Sequence, residues 1–88
     1  MYKLYYTSDA KKDFKKITQS NLKSKCTNLL DLVREDPSQV PPPYKKLKGS
    51  YEGLYSRRIN MQHRLFYEVD KINNRVKILR MWSHYGDN

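Results

Sequence analysis

The chain has 88 residues, enough for one hydrophobic core and too few for two, so a single domain over 1–88 is expected. Eighteen lysines and arginines stand against nine aspartates and glutamates; the resulting +9 exceeds what solubility needs and points to a polyanionic partner, nucleic acid ahead of an anionic membrane surface or an acidic protein. No stretch approaches the roughly 18 apolar residues of a membrane span, MYKLYYTSDA lacks a signal-peptide core, and the lone Cys26 can close no internal disulfide and has no ligand-spaced neighbours, so a cytoplasmic protein with a buried thiol and no metal motif is expected.

YKLYY is short and aromatic and predicts an opening strand over about 2–6. Thr7 or Ser8 can then cap a helix in which Ala10, Phe14 and Ile17 fall at i, i+4 and i+7, with Lys11, Lys12, Lys15 and Lys16 off that stripe. A second amphipathic helix starts near Ser20, carries Leu22, Cys26, Leu29 or Leu30, and Val33, and stops before Pro37, because the residue preceding a proline disfavours the α region. SQVPPPYKKLKG reads as a stiff, charged loop: its three successive prolines neither donate backbone hydrogen bonds nor permit helix. From Leu54 the texture turns to β in LYSRRIN, HRLFYEV and RVKILRMW, separated by segments short enough for hairpins. The sum is an α+β domain: one short strand, a two-helix hairpin, then a three-stranded antiparallel meander completing a four-stranded sheet, with helices on one face and the other face free to bind.

Residues 41–64 carry six basic side chains and one acidic one, interleaved with Tyr44, Tyr51 and Tyr55. Phosphate-binding charge beside stacking rings is what single-stranded RNA recognition requires, although a charge run read alone is usually a solvated face. Strand periodicity sends Arg57 and Arg58 to opposite faces, so both cannot reach one ligand. Because a guanidinium beneath helices must be paired or stay wet, the arginines are expected on the open face and its rim. The residues alone equally allow Arg58 and Arg64 to pair across a hairpin with Glu68 or Asp70. They also allow His63, and the terminal pair His84 and Tyr85, to be decoration at strand ends. Metal-free RNA cleavage needs a base for the 2′-hydroxyl, cations for the phosphorane oxygens and an acid for the 5′-oxygen. The arginines suit the second role and His84 the third; the base is harder to find.

Taken together, LKGSYEGLYSRRINMQHRLFYEV and the later WSHY resemble the signature of the Txe/YoeB toxins, a branch of the RelE-like superfamily of bacterial toxin–antitoxin systems. The resemblance covers nearly the whole chain. It implies a RelE-like fold and a ribosome-dependent endoribonuclease that cuts mRNA in the A site by metal-free acid/base chemistry, without cofactor. It also implies a homodimer held inactive by a Phd/YefM-type antitoxin, with operator DNA reached only through that antitoxin. Carried over by residue, it makes Arg64 the phosphate-stabilising arginine, His84 the general acid and Tyr85 the aromatic contact to substrate. Arg58 and Lys48 match supporting cations along the RNA path, which the basic, tyrosine-interleaved segment extends to Lys46 and Tyr55. One departure matters: the family's general-base glutamate, two residues before the leucine of its LK motif, falls here on Lys45, and a lysine protonated at neutral pH cannot accept the 2′-proton. The chain is then a weakened variant, or relies on lysines for charge stabilisation, or has a shifted loop register, the nearest acids in sequence being Asp36 and Glu52. The rival expectation is a non-enzymatic module on the same fold, either a ribosome or RNA binder or a gyrase-inhibiting toxin.

Overall fold

The structure, a computed structural model, describes residues 1–49 and 53–83. The elements run β1 (Lys3–Tyr6), α1 (Ser8–Thr18), α2 (Lys23–Glu35), β2 (Lys45–Lys46), β3 (Leu54–Arg58), β4 (Arg64–Asp70) and β5 (Arg75–Ser83). None of the described helices is long and apolar enough to cross a membrane.

Thr7 makes the first corner. Its hydroxyl oxygen accepts the Ala10 amide at 3.0 Å, satisfying an orphan donor of α1, while its O–H donates to Leu79 O at 2.9 Å. The cap therefore starts the helix and ties it to β5 at once. The tight connection to α2 is held by Ser20, whose hydroxyl accepts the Leu22 amide. Helix α2 ends at Glu35, two residues before Pro37.

The sheet has the order β1-β5-β4-β3-β2. Strands β3, β4 and β5 form the expected antiparallel meander, whose last turn uses Asn74 at a positive φ of 53° and the Asp70 carboxylate as acceptor for the Asn73 amide. Strand β1 lies parallel to β5, from Lys3 opposite Arg75 to Tyr6 opposite Ile78. The sheet is five-stranded where four strands were expected: directly after the prolines, Lys45 and Lys46 pair with Ser56 and Tyr55. Two consecutive lysines carry no alternating apolar pattern, so this strand exists because of what surrounds it and not because of its own residues.

The core lies between the helices and one sheet face. Ala10, Ile17, Cys26 and Val33 of the helices are fully buried, as the apolar stripes require, against Leu65, Tyr67, Val76, Ile78 and Met81. Each large apolar side chain so buried contributes about 1.5–3 kcal/mol. The Cys26 thiol packs 3.7 Å from Met81 Sδ, and burial pushes its pKa up to about 11, leaving it unreactive. Asp13, 2% exposed, joins α1 to β5 by accepting from Arg80 Nε at 2.8 Å and from the Met81 amide at 2.9 Å.

Arg57 corrects the expectation that the arginines mark the open face. It sits on the face of its cross-strand partner Leu65, wholly buried, and is tolerated there because four of its N–H groups are satisfied by phenol and carbonyl oxygens. The alternative pairing of Arg58 or Arg64 with Glu68 or Asp70 does not occur among the described residues: Glu68 lies opposite Leu54 and Lys77, and Asp70 pairs with Arg75 at 3.4 Å.

Candidate nucleic-acid interface

Where β2, β3 and the Ile59–Met61 turn meet the start of α2, the surface folds into an open groove of about 600 Å³. Its walls carry Lys25, Lys45, Arg58 and Arg64, together with Tyr44, Asn60 and Met61. Register explains the convergence: Arg58 is directly opposite Arg64, and Lys45 is opposite Ser56, two positions along β3 from Arg58. Side chains two apart on a strand share a face, so the three cations are neighbours by construction.

Two arginines facing each other across an antiparallel pair repel. Burial, and then the charge of Arg58, pull the Arg64 pKa below the ordinary guanidinium value. Arg64 nevertheless stays cationic at any physiological pH, half-buried and steered by a hydrogen bond from Nε to the buried Ser56 hydroxyl at 3.3 Å. Like charges held together, with no carboxylate among the described lining residues, form a site that an anion relieves. Among the described residues no group of three histidine, cysteine or acidic side chains could hold a metal.

The other residues expected on an RNA path lie elsewhere. Lys46 and Lys48 line a second depression of about 410 Å³ with Leu47 and Tyr55. Consecutive residues of β2 point to opposite faces, so Lys45 enters the first groove and Lys46 does not. Tyr55 is half-buried, stacked on Tyr67 at 5.6 Å and edge-on to Tyr44 at 5.6 Å. His84 and Tyr85 lie outside the described residues. The strand leading to them is fixed, with Ser83 paired to Arg64 and Trp82 held by His63, whose ring stacks at 4.1 Å and whose Nδ1 donates to Trp82 O at 2.8 Å.

Residues 6–85 match the family model described as the YoeB-like toxin of bacterial type II toxin–antitoxin systems. The chain belongs to this toxin family. A YoeB/ParE toxin from Agrobacterium tumefaciens is 26% identical, with 94% of this chain and 99% of that one superposing at a TM-score of 0.86. In a heterotetrameric YoeB–YefM toxin–antitoxin complex from Staphylococcus aureus, a matching chain is 32% identical over 97% of this chain and 99% of its own, with a TM-score of 0.80. A YoeB dimer from the same organism matches at 32% identity, covering 96% of this chain and 98% of that one, with a TM-score of 0.81. No curated protein sequence matches significantly.

For this YoeB-like toxin, sequence reasoning overlooks Lys25, Asn60 and Met61 in the groove and Arg57 beneath the loop that borders it. Lys25 stands off the apolar stripe of α2 and looks like any solvated lysine until the helix is packed. Arg57 carries a signal: it precedes an arginine in a strand, so one of the two has to face the core side.

Proposed function

We propose that this YoeB-like toxin is a ribosome-dependent mRNA endoribonuclease, and that the groove between Lys45 and Arg64 holds the scissile phosphate. The observation that carries this reading is the cross-strand pair of Arg58 and Arg64 with Lys45 and Lys25 on the same walls. In the reaction the 2′-oxygen forms a bond to phosphorus and the P–O5′ bond breaks. The 2′-proton passes to water, since none of the described groove residues is a base, and an acid protonates O5′. Arg64 and Arg58 stabilise the phosphorane oxygens, and such electrostatic stabilisation usually lowers the barrier more than any other single effect. His84 supplies the proton to O5′ and Tyr85 contacts the substrate. Lys45, at the position of the family's glutamate, adds positive charge in place of a strong base, so the native chain cleaves slowly. The ribosome encloses the open groove. An acidic Phd/YefM-type antitoxin covers it, as its charge favours, and two copies of the toxin associate.

A second reading, a non-cleaving RNA or ribosome binder, is favoured by the lack of a carboxylate among the described groove residues. Cleavage of a reporter mRNA in a translating extract separates the two. Lys45→Glu should raise cleavage by about 10²–10⁴-fold, the usual worth of a positioned base, and His84→Ala should abolish that gain. If neither the native chain nor Lys45→Glu cuts RNA with ribosomes present, the binder reading stands. Toxicity that survives truncation after Ser83 would instead favour a target such as gyrase.

A further inference from the structure

We infer that Arg57 is the positioning residue of the groove: it clamps the loop from Pro37 to Tyr44 onto the sheet and so holds Lys45 in place opposite Ser56. This role rests on the nuclease reading and deepens it by assigning what sets the geometry of the basic wall.

The need for a clamp follows from the loop's composition. Pro37, Pro41, Pro42 and Pro43 have no N–H, so the segment is rich in acceptors, poor in donors and unable to build a ladder of its own. Packing such a segment on a sheet would strand its carbonyls, at a cost comparable to lost hydrogen bonds. Arginine is the complementary group, with five N–H donors, a planar fork and no acceptor. Arg57 Nη1 donates to Pro42 O at 2.7 Å, and Nη2 donates to Pro37 O and to Gln39 O, each at 2.9 Å. Nε donates to the Tyr67 hydroxyl at 2.9 Å, which in turn donates to Pro37 O at 3.2 Å. The guanidinium carbon lies 4.9 Å from the Tyr44 ring centroid, so the last loop residue before Lys45 closes over the same cation.

What depends on the clamp is β2. A two-residue strand is far too short to hold itself in a sheet, and besides its pairing with β3 it is continued by the Leu47 amide donating to Leu54 O at 2.9 Å. The chain therefore reaches Lys45 from an anchored loop, and the lysine's place in the groove is inherited from Arg57. Lysine could not substitute, because a single ammonium cannot span carbonyls approached from three directions.

The test is hydrogen–deuterium exchange on the full chain for the wild type, Arg57→Lys, Arg57→Met and Tyr67→Phe. Both Arg57 variants should speed exchange at the amides of 38–40 and 44–47 roughly tenfold, and Tyr67→Phe roughly threefold, with α1, β4 and β5 left within about twofold. Uniform acceleration over the whole chain would mean a purely global structural role and would overturn the inference. Wild-type exchange in Arg57→Lys would overturn it too, since charge alone would then suffice. Should the Arg57 variants fail to fold, Tyr67→Phe decides by the same criterion. Cleavage is scored separately: if neither the native chain nor Lys45→Glu cuts RNA while the Arg57 variants show the local exchange pattern, the nuclease reading fails and the clamp stands. A wild type that cuts, without the local pattern in the variants, refutes the clamp alone.

Discussion

Arg80 and Arg57 each reach from the sheet to a segment packed against it, but only Arg80 meets a carboxylate. At the β5 end, the Arg80 guanidinium and the Met81 amide converge on the buried Asp13 of α1. At the β3 end, Arg57 meets three carbonyls and a phenol, and among the described residues no carboxylate pairs with it. The first tie cancels its own charge. The second leaves a positive charge buried beside strands that also carry Arg58, Arg64 and Lys45. The α1–β5 tie thus carries neutralised charge, while among the described residues the groove cations Arg58, Arg64 and Lys45 have no carboxylate partner. The two ties therefore differ in charge balance, and substitutions can test what that difference does.

The largest effect is expected on the groove side. Arg64→Ala should lower ribosome-dependent cleavage about 10²–10³-fold, in line with loss of one preorganised stabiliser of a developing oxyanion. Its melting temperature should move little, because a half-exposed side chain with one long hydrogen bond contributes modestly to stability. A variant that loses activity only in proportion to its unfolded fraction would erase the contrast.

Asp13→Asn should act in the opposite sense, costing about 2 kcal/mol by weakening charge-assisted bonds to a buried acceptor, or roughly 10 °C in a domain of this size, with RNA affinity unchanged. Its pH dependence follows from sign. Burial alone would raise the Asp13 pKa, but the bonds from Arg80 and Met81 outweigh it and hold the folded value below the usual 3.8. The stabilisation is therefore complete above the unfolded-state pKa and disappears as pH falls through the folded one. Acid unfolding followed by circular dichroism should be flatter on that limb in Asp13→Asn, leaving the exposed Asp70, also held low by its bonds to Asn73, as a smaller contributor. The Arg57 tie has no titrating acceptor in that range and adds no slope there.

The smallest effect belongs to Lys25. Removing this exposed helix residue as Lys25→Ala should weaken RNA binding a few-fold and reduce the slope of log affinity against log salt by about 0.7, one phosphate contact to a single strand, with no loss of stability. An unchanged slope would take α2 out of the basic path.

These roles are unevenly legible in the amino-acid sequence, for physical reasons. Helix periodicity and capping are local, so the Ala10–Ile17 stripe, the Thr7 cap and the meander can be read from the chain itself. Arg57 cannot, because the oxygens that make its burial tolerable come from residues 15 to 20 positions away in a loop that shows no structural pattern. The same loop hides β2: prolines and lysines argue against a strand, and only the anchored approach makes two residues pair. Arg58 and Arg64 can be placed in neighbouring strands but not opposite each other, since register depends on the length of an intervening turn closed by Asn60 and His63.

The position of β5 between β1 and β4 also dictates an order of assembly. Strand β1 has no partner until β5 exists, and the Thr7 hydroxyl waits for a carbonyl 72 residues further along. Loop closure over that span is slow compared with helix formation, so α1 and α2 can form early while the groove's floor is still an open hairpin. On a translating ribosome the cations of β3 and β4 emerge before the strand that completes their sheet. Until β5 is made, the sheet of a nascent chain is therefore basic and unfinished, and Arg64 lacks the Ser83 backbone opposite which it sits in the folded chain.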